Sequence, residues 1–229
     1  MRLAAILCLV GLSGCSVFNH QPIPELGDPD ARLDALLVEL RDARAIERGE
    51  YGPEDPKPKV RTRNELLREL ETLAFDFPNN GRVQYACGSA AYSLGRPETA
   101  TAYLDAAINA DPRLTEATAL RARMAIEAGN YPRAERLVDD GLLLAPDSGE
   151  LHLLAAQLLD LDGDAAGALR ALDLAAKLGV ETWRVEYNRA IVYENQGKVA
   201  DAERALRRCL DENPDCEEAA RRLRRIEAR

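Results

Sequence analysis

Residues 183–216 read WRVEYNRAIVYENQGKVADAERALRRCLDENPDC. Helix-forming sequence runs on both sides of Gly197, with Ala190 seven positions before it, Ala202 five after, Leu206 nine after and Pro214 seventeen after. Glycine suits a short turn because a left-handed or tightly bent backbone brings it no Cβ clash. The two alanines fall where antiparallel helices would cross, and small side chains there let the axes approach. The proline lacks an N–H and disfavours helical geometry in the residue before it, so it stops the second helix. The stretch therefore reads as one helical hairpin. The landmarks recur at a step of 34 residues: Gly95, Gly129 and Gly163; Gly88, Ala122 and Ala156; Ala100, Ala134 and Ala168; Leu104, Val138 and Leu172. Pro112 and Pro146 continue the proline column, which Val180 breaks.

A period of 34 with these landmarks resembles the tetratricopeptide repeat. Tyr187, Asn188, Ala190, Tyr193, Gln196, Gly197, Ala202, Leu206, Leu210 and Pro214 all fit that pattern. The resemblance implies an all-α, right-handed α-solenoid of stacked helix-turn-helix units. The chain departs from the pattern in two columns. Gln84, Thr118, His152 and Glu186 stand where the family often has Trp, and Arg121 and Arg189 replace a usual Leu. Each arginine must reach a carboxylate or extend its head to water, since an unpaired buried charge is too costly.

The register divides residues 81–216 into four units, 81–114, 115–148, 149–182 and 183–216. Residues 28–80 read as a degenerate unit. Asp28 and Pro29 open a helix over Asp30 to Ile46, and Thr62 with Glu65 forms a capping box ahead of the stripe Leu66, Leu67, Leu70 and Leu73. The stretch Gly49 to Lys59, holding Pro53, Pro56 and Pro58, takes the place of the usual glycine turn as a surface loop. Residues 217–229 form a capping helix, with Glu217 and Glu218 in its first turn and Arg224 and Arg225 near its end. Its arginine-rich face reads as solvated, with lipid headgroups or nucleic acid as the other readings.

The start of the chain carries an address. Arg2 precedes the ten-residue apolar run Leu3 to Leu12, short of the roughly 20 residues that a membrane-spanning helix needs. It reads as an export signal. Leu12-Ser13-Gly14-Cys15 resembles the lipobox of bacterial lipoproteins. That resemblance implies removal of residues 1–14 and lipidation of Cys15; several acyl chains hold a protein firmly at a bilayer. Ser16 after the cysteine implies the outer membrane, on its periplasmic face, in a Gram-negative source. The alternative is an ordinary secretory signal. Residues 15–27, with Pro22, Pro24 and Gly27, read as a tether.

Composition narrows the function classes. The 229 residues carry 39 acidic and 30 basic side chains, a net charge of −9 that becomes one unit more negative once a leader containing Arg2 is removed. An acidic balance argues against nucleic acid, whose binding needs a basic footprint. The two histidines, His20 and His152, have no cysteine or carboxylate neighbours at metal-ligand spacing, and no Gly-rich phosphate loop precedes a helix. No catalytic residue, metal or cofactor is expected. Cys87 and Cys209 occupy apolar columns and read as buried thiols, while Cys209 and Cys216 flank Pro214 and leave a bridge open in an oxidising compartment.

In the tetratricopeptide family the first helix of each unit lines a concave groove through its second, fifth, ninth and twelfth positions. The equivalents here are Arg82, Tyr85, Ser89 and Tyr92; Glu116, Ala119, Arg123 and Ile126; Glu150, Leu153, Gln157 and Asp160; Arg184, Tyr187, Ile191 and Glu194. Spacings of three and four put them on one helical face. Candidate partner contacts are Tyr85, Ser89, Tyr92, Arg123, Ile126, Leu153, Gln157, Tyr187, Ile191 and Glu194, with Glu116, Glu150 and Glu194 nearer a polar rim. Tyr85 and Tyr187 pack against the neighbouring helix in the alternative reading. The carboxylate clamp of chaperone-binding members is absent: the first three units offer Tyr85, Ser89, Leu120, Glu150 and Leu154 where it needs Lys and Asn, then Asn, then Lys and Arg. The expectation is a membrane-anchored adaptor that binds a protein or peptide in the cell envelope, of a kind that resembles pilus, secretion or outer-membrane assembly factors. The rival is a cell-wall-associated protein that assists a peptidoglycan enzyme or binds glycan.

Overall fold

The computed structural model describes residues 27–51 and 58–228. The leader, Cys15 and its box, the tether up to residue 26, and Pro53 and Pro56 of the insertion lie outside the described residues. Among the described residues there are eleven α-helices: α1 Pro29–Glu47, α2 Arg63–Asp76, α3 Gly81–Ser93, α4 Pro97–Ala110, α5 Thr115–Glu127, α6 Tyr131–Leu144, α7 Gly149–Leu161, α8 Ala165–Lys177, α9 Thr182–Asn195, α10 Val199–Glu212 and α11 Glu217–Glu227. They stack as helical hairpins. Each of α3, α5, α7 and α9 packs on the helix that follows it, and the odd-numbered helices from α1 to α9 also touch one another in succession. That second set of contacts makes them the inner row of the solenoid.

Local chemistry explains each hairpin. Gly95, Gly129, Gly163 and Gly197 have φ of 69, 71, 84 and 71°, a left-handed conformation that a side chain would strain. The residue after each glycine returns a hydrogen bond to the turn, as Lys198 N to Tyr193 O at 2.9 Å does. Gly49 makes the same turn, with φ of 71° and Glu50 N donating to Ala45 O at 3.0 Å. The insertion therefore follows the glycine turn and does not replace it, because α1 ends through the same C-cap as its counterparts.

The second helices stop in two ways. Asp111, Ala145 and Asn213, each before a proline, turn to φ of −141, −140 and −138°. Where Val180 breaks the column, Gly179 at φ 89° ends α8, and Val180 N donates to Ala175 O at 3.1 Å. A glycine cap thus does there what proline does elsewhere.

Ala100, Ala134, Ala168 and Ala202 are fully buried at the crossings. A Cβ on Gly88 would lie 2.7 Å from Leu104 Cγ, so α3 and α4 meet closely enough to exclude a methyl group. Arg121 donates through Nε to Asp105 at 3.0 Å, and Arg189 through Nη2 to Asp173 at 2.6 Å and through Nη1 to Glu186. Both arginines of the substituted Leu column are thereby neutralised. The former Trp column joins units: Gln84 Nε2 donates to Ala74 O and Pro78 O at 3.1 and 3.2 Å. His152 Nε2 sits 2.9 Å from Pro146 O, a contact that needs the ring proton on that nitrogen. Cys87, Cys209 and Cys216 are free and buried. Burial, then the neighbouring Cys216, pushes the Cys209 thiol up to about 12, far from a reactive thiolate.

Candidate partner-binding groove

Two recesses on the inner row gather most of the expected contacts. The larger, about 570 Å³, lies across α3 and α5 and holds Tyr85, Ser89, Tyr92, Arg123, Glu150 and Arg184, with Arg44 of α1 in its wall. The smaller, about 290 Å³, lies between α7 and α9 and holds Gln157, Asp160, Tyr187, Asn188 and Ile191.

An ionic ladder crosses the first recess. Glu150 accepts from Arg123 of α5 and from Nη2 of Arg184 of α9 at 2.7 Å, and Arg184 Nη1 lies in ion-pair contact with its other oxygen at 2.7 Å. Such a two-pronged Arg–carboxylate contact fixes geometry as well as charge. Burial pushes the Glu150 carboxyl up, but the hydrogen bonds and charges of Arg184 and Arg123 outweigh it and hold it below the usual carboxylate value. Glu150 is thus the hub of the inner face and does not sit on its rim. Tyr92 donates to Glu127 at 2.7 Å across α3 and α5.

The second recess is tied by amides. Gln157 Nε2 donates to Asn188 Oδ1 at 2.8 Å, Asn188 Nδ2 to Arg184 O at 2.8 Å, and Asn195 Nδ2 to Asp160 Oδ2 at 2.7 Å. At its far edge Glu194, whose side chain is 17% exposed, accepts from Arg222 at 2.6 Å and Arg225 at 3.0 Å, both on α11. Arg222 Nε also donates to the Tyr187 hydroxyl at 3.3 Å, and its guanidinium lies 5.7 Å from the centre of that ring. Glu194 is likewise no rim charge, and half of the arginine-rich tail is engaged with the groove.

Of the sequence-expected contacts, Tyr85, Ser89, Tyr92 and Arg123 come together in the first recess, and Gln157, Tyr187 and Ile191 in the second. Leu153 does not belong with them. It is 2% exposed, in a cluster with Leu172, Val185 and Val192. At the fifth position Leu153 and Ala119 are buried, whereas the longer Tyr85 and Tyr187 are half-buried. Ile126 packs against the core cluster that contains Ala122, Ala125 and Ala134 and lines neither recess. Arg44 and Asn188 were missed. Asn188 stood in the quoted repeat as a family landmark, and Arg44 had no register to place it. Among the described residues no helix is long and apolar enough to cross a membrane.

Three models of the tetratricopeptide repeat match the sequence, over residues 67–114, 91–158 and 183–216, together more than half of the chain. No curated protein matches it. Among solved structures, a thermophilic TPR protein from Thermus thermophilus aligns at a TM-score of 0.66 and 16% identity, over 85% of this chain and all of that one. A tetratricopeptide repeat protein from Parabacteroides merdae aligns at 0.59 and 21% identity, over 81% of this chain and 68% of that one. A chain of the APC/C hetero-tetramer Cut9–Hcn1 aligns at 0.68 and 11% identity, over 86% of this chain and 38% of that one. These likenesses establish a shared solenoid fold.

Proposed function

From the premise that the chain belongs to the tetratricopeptide-repeat family, we propose that it is a lipid-anchored, non-catalytic adaptor of the bacterial cell envelope that holds a protein partner in its concave groove. Tetratricopeptide repeats in general mediate protein–protein interaction, and the Cut9–Hcn1 assembly names a relative of the fold that works in a complex with a second protein. The observation that carries the reading for this chain is the first recess, an open surface mixing Tyr85, Tyr92 and Leu120 with arginines and glutamates of the inner row. Tyrosine and arginine side by side suit a protein interface. A glycan would favour stacked, exposed rings, and here Tyr85 and Tyr187 stand in separate recesses, each half-buried in a helix seam. Anchoring rests on the Leu12-to-Cys15 box, and an outer-membrane address on Ser16.

Two measurements test the parts separately. Cys15→Ser is expected to abolish metabolic labelling with palmitate and to release the protein from membranes; unchanged labelling sinks the anchor. Capture of the native partner by crosslinking in envelope fractions tests the groove. Tyr92→Ala with Arg123→Ala should weaken it by roughly 2 kcal/mol or more. The fold is expected to survive, because Arg184 still holds Glu150 through a hydrogen bond and a second ion-pair contact. Full capture by that pair, with loss on replacing Arg221, Arg222, Arg224 and Arg225, would move the binding site to α11.

A further inference from the structure

Arg44 is a half-buried cation with no ion pair among the described residues. Among the described residues its one hydrogen bond runs from Nη2 to Ser93 Oγ at 3.3 Å. Its charged neighbours are Arg63, Arg48 and Glu47, and all three are engaged elsewhere: Arg63 pairs with Glu47 at 2.8 Å and Arg48 with Glu50 at 2.8 Å. Burial, then repulsion from Arg63 and Arg48, depresses the Arg44 pKa, yet a guanidinium stays charged at neutral pH. A charge drawn partly out of water without a directly paired anion is costly, and an incoming carboxylate would relieve that cost.

Two further features point to the same occupant. Tyr85 and Ser89 share the recess with Arg44, and neither hydroxyl makes a hydrogen bond within the described residues. Arg44, Tyr85 and Ser89 also border a second hollow of about 260 Å³ whose other walls include Leu33, Leu37, Leu40 and Leu114. Leu37 is 38% exposed there, a large aliphatic side chain open to water. A cationic recess and an apolar one therefore share a wall where α1 meets α3.

We propose that this corner selects a peptide segment of the partner protein in which an Asp or Glu side chain stands beside an aliphatic or aromatic one. The carboxylate accepts from Arg44 and from the Tyr85 and Ser89 hydroxyls, while the apolar side chain fills the leucine hollow. The inference rests on the partner-binding reading of the groove and specifies its ligand. Glu116, exposed on the opposite wall of both recesses, opposes any anion and limits the site to a single negative charge. A dianionic phosphate would meet Glu116 and Glu150 with one uncommitted guanidinium to hold it.

The test uses the purified full-length protein in detergent micelles on a positional-scanning array of ten-residue peptides, acetylated and amidated so that side chains alone present carboxylates. Peptides with an acidic residue beside an apolar one should be preferred about tenfold over their Gln or Ser counterparts, the scale of one charge-assisted hydrogen bond. Arg44→Gln should remove the acidic preference and keep the apolar one, and Leu37→Ser should do the reverse. Glu116→Gln should strengthen binding of acidic peptides several-fold, which a merely structural role for Arg44 does not anticipate. An unchanged profile in Arg44→Gln, or preference for basic peptides, overturns the inference. Selection of some other composition that is lost with Tyr92→Ala and Arg123→Ala also overturns it, but leaves the groove reading standing. No selection on the array, with native partner captured equally by Arg44→Gln and by that double variant, overturns both.

Discussion

At the C-terminal end of the inner face Glu194 receives two arginines from α11, whereas at the N-terminal end Arg44 reaches the groove wall with, among the described residues, only the Ser93 hydroxyl as a hydrogen-bond partner. The hairpins between the two ends are alike, so the difference comes from the terminal elements. α11 packs on α10 and turns its Arg222 and Arg225 back onto α9. The N-terminal unit has its own second helix, so α1 is free to aim a cation and a strip of leucines into the groove. Among the described residues the chain supplies counter-charges at one end and not at the other, and it is at the second that we propose the partner binds.

The largest expected effect tests what both ends share. Ala202→Leu in the last hairpin and Ala134→Leu in the middle of the stack place bulk at fully buried crossings, and each should cost about 1–3 kcal/mol by overpacking. Ala228→Leu, beyond the end of α11 and exposed, should change little. Thermal melts followed by circular dichroism read all three. Equal melting of the crossing and control variants would mean that the hairpins are not the rigid common frame on which the ends differ.

Next in size comes the charge between the ends. Glu150→Gln leaves Arg123 and Arg184 facing an uncharged group. Breaking a fully buried pair costs 3–5 kcal/mol, but Glu150 is 27% exposed, and water reduces the loss to about 1–2 kcal/mol. The sign of its pH dependence follows from the lowered pKa. A carboxylate whose folded pKa lies below its unfolded value of about 4.3 adds stability above that value and loses it as pH falls through the folded one. The gap in stability between wild type and Glu150→Gln should be full near neutral pH and close as the solution is acidified below about pH 4. A gap independent of pH would assign the loss to packing.

The hairpin frame was legible in the sequence because it depends on contacts between neighbours in the chain. Gly95 to Gly197, the buried alanines and the prolines each act within one unit, so a fixed spacing reports them. Even the exception at Val180 was half visible, since Gly179 precedes it. The groove depends on how units curve past one another, and spacing along one helix does not report depth across three. That is why Leu153 was taken for surface and proved to be core. It is also why Glu150 and Glu194, which looked like rim charges, meet arginines 27 to 34 residues away. Arg44 lies in the degenerate unit, and nothing in its local sequence shows that it faces Tyr85.

The smallest effects on stability bear most directly on the two ends. Glu194→Gln releases Arg222 and Arg225, which are 29 and 58% exposed, so the loss should be only about 0.5–1 kcal/mol. It should be local: amide hydrogen exchange along α11 is expected to quicken while that of α3 and α5 stays as in wild type. Arg44→Gln should move overall stability by no more than about 0.5 kcal/mol, in either direction, since it removes a charge without an ion pair and the burial penalty that went with it. The same substitution is the one expected to remove the preference for acidic peptides. A residue that contributes nothing to the fold and much to recognition is what an open end requires. If Arg44→Gln were instead to destabilise the chain as much as Glu150→Gln does, Arg44 would be a structural cation like those on α11, and the two ends would differ only in which partner the chain supplies.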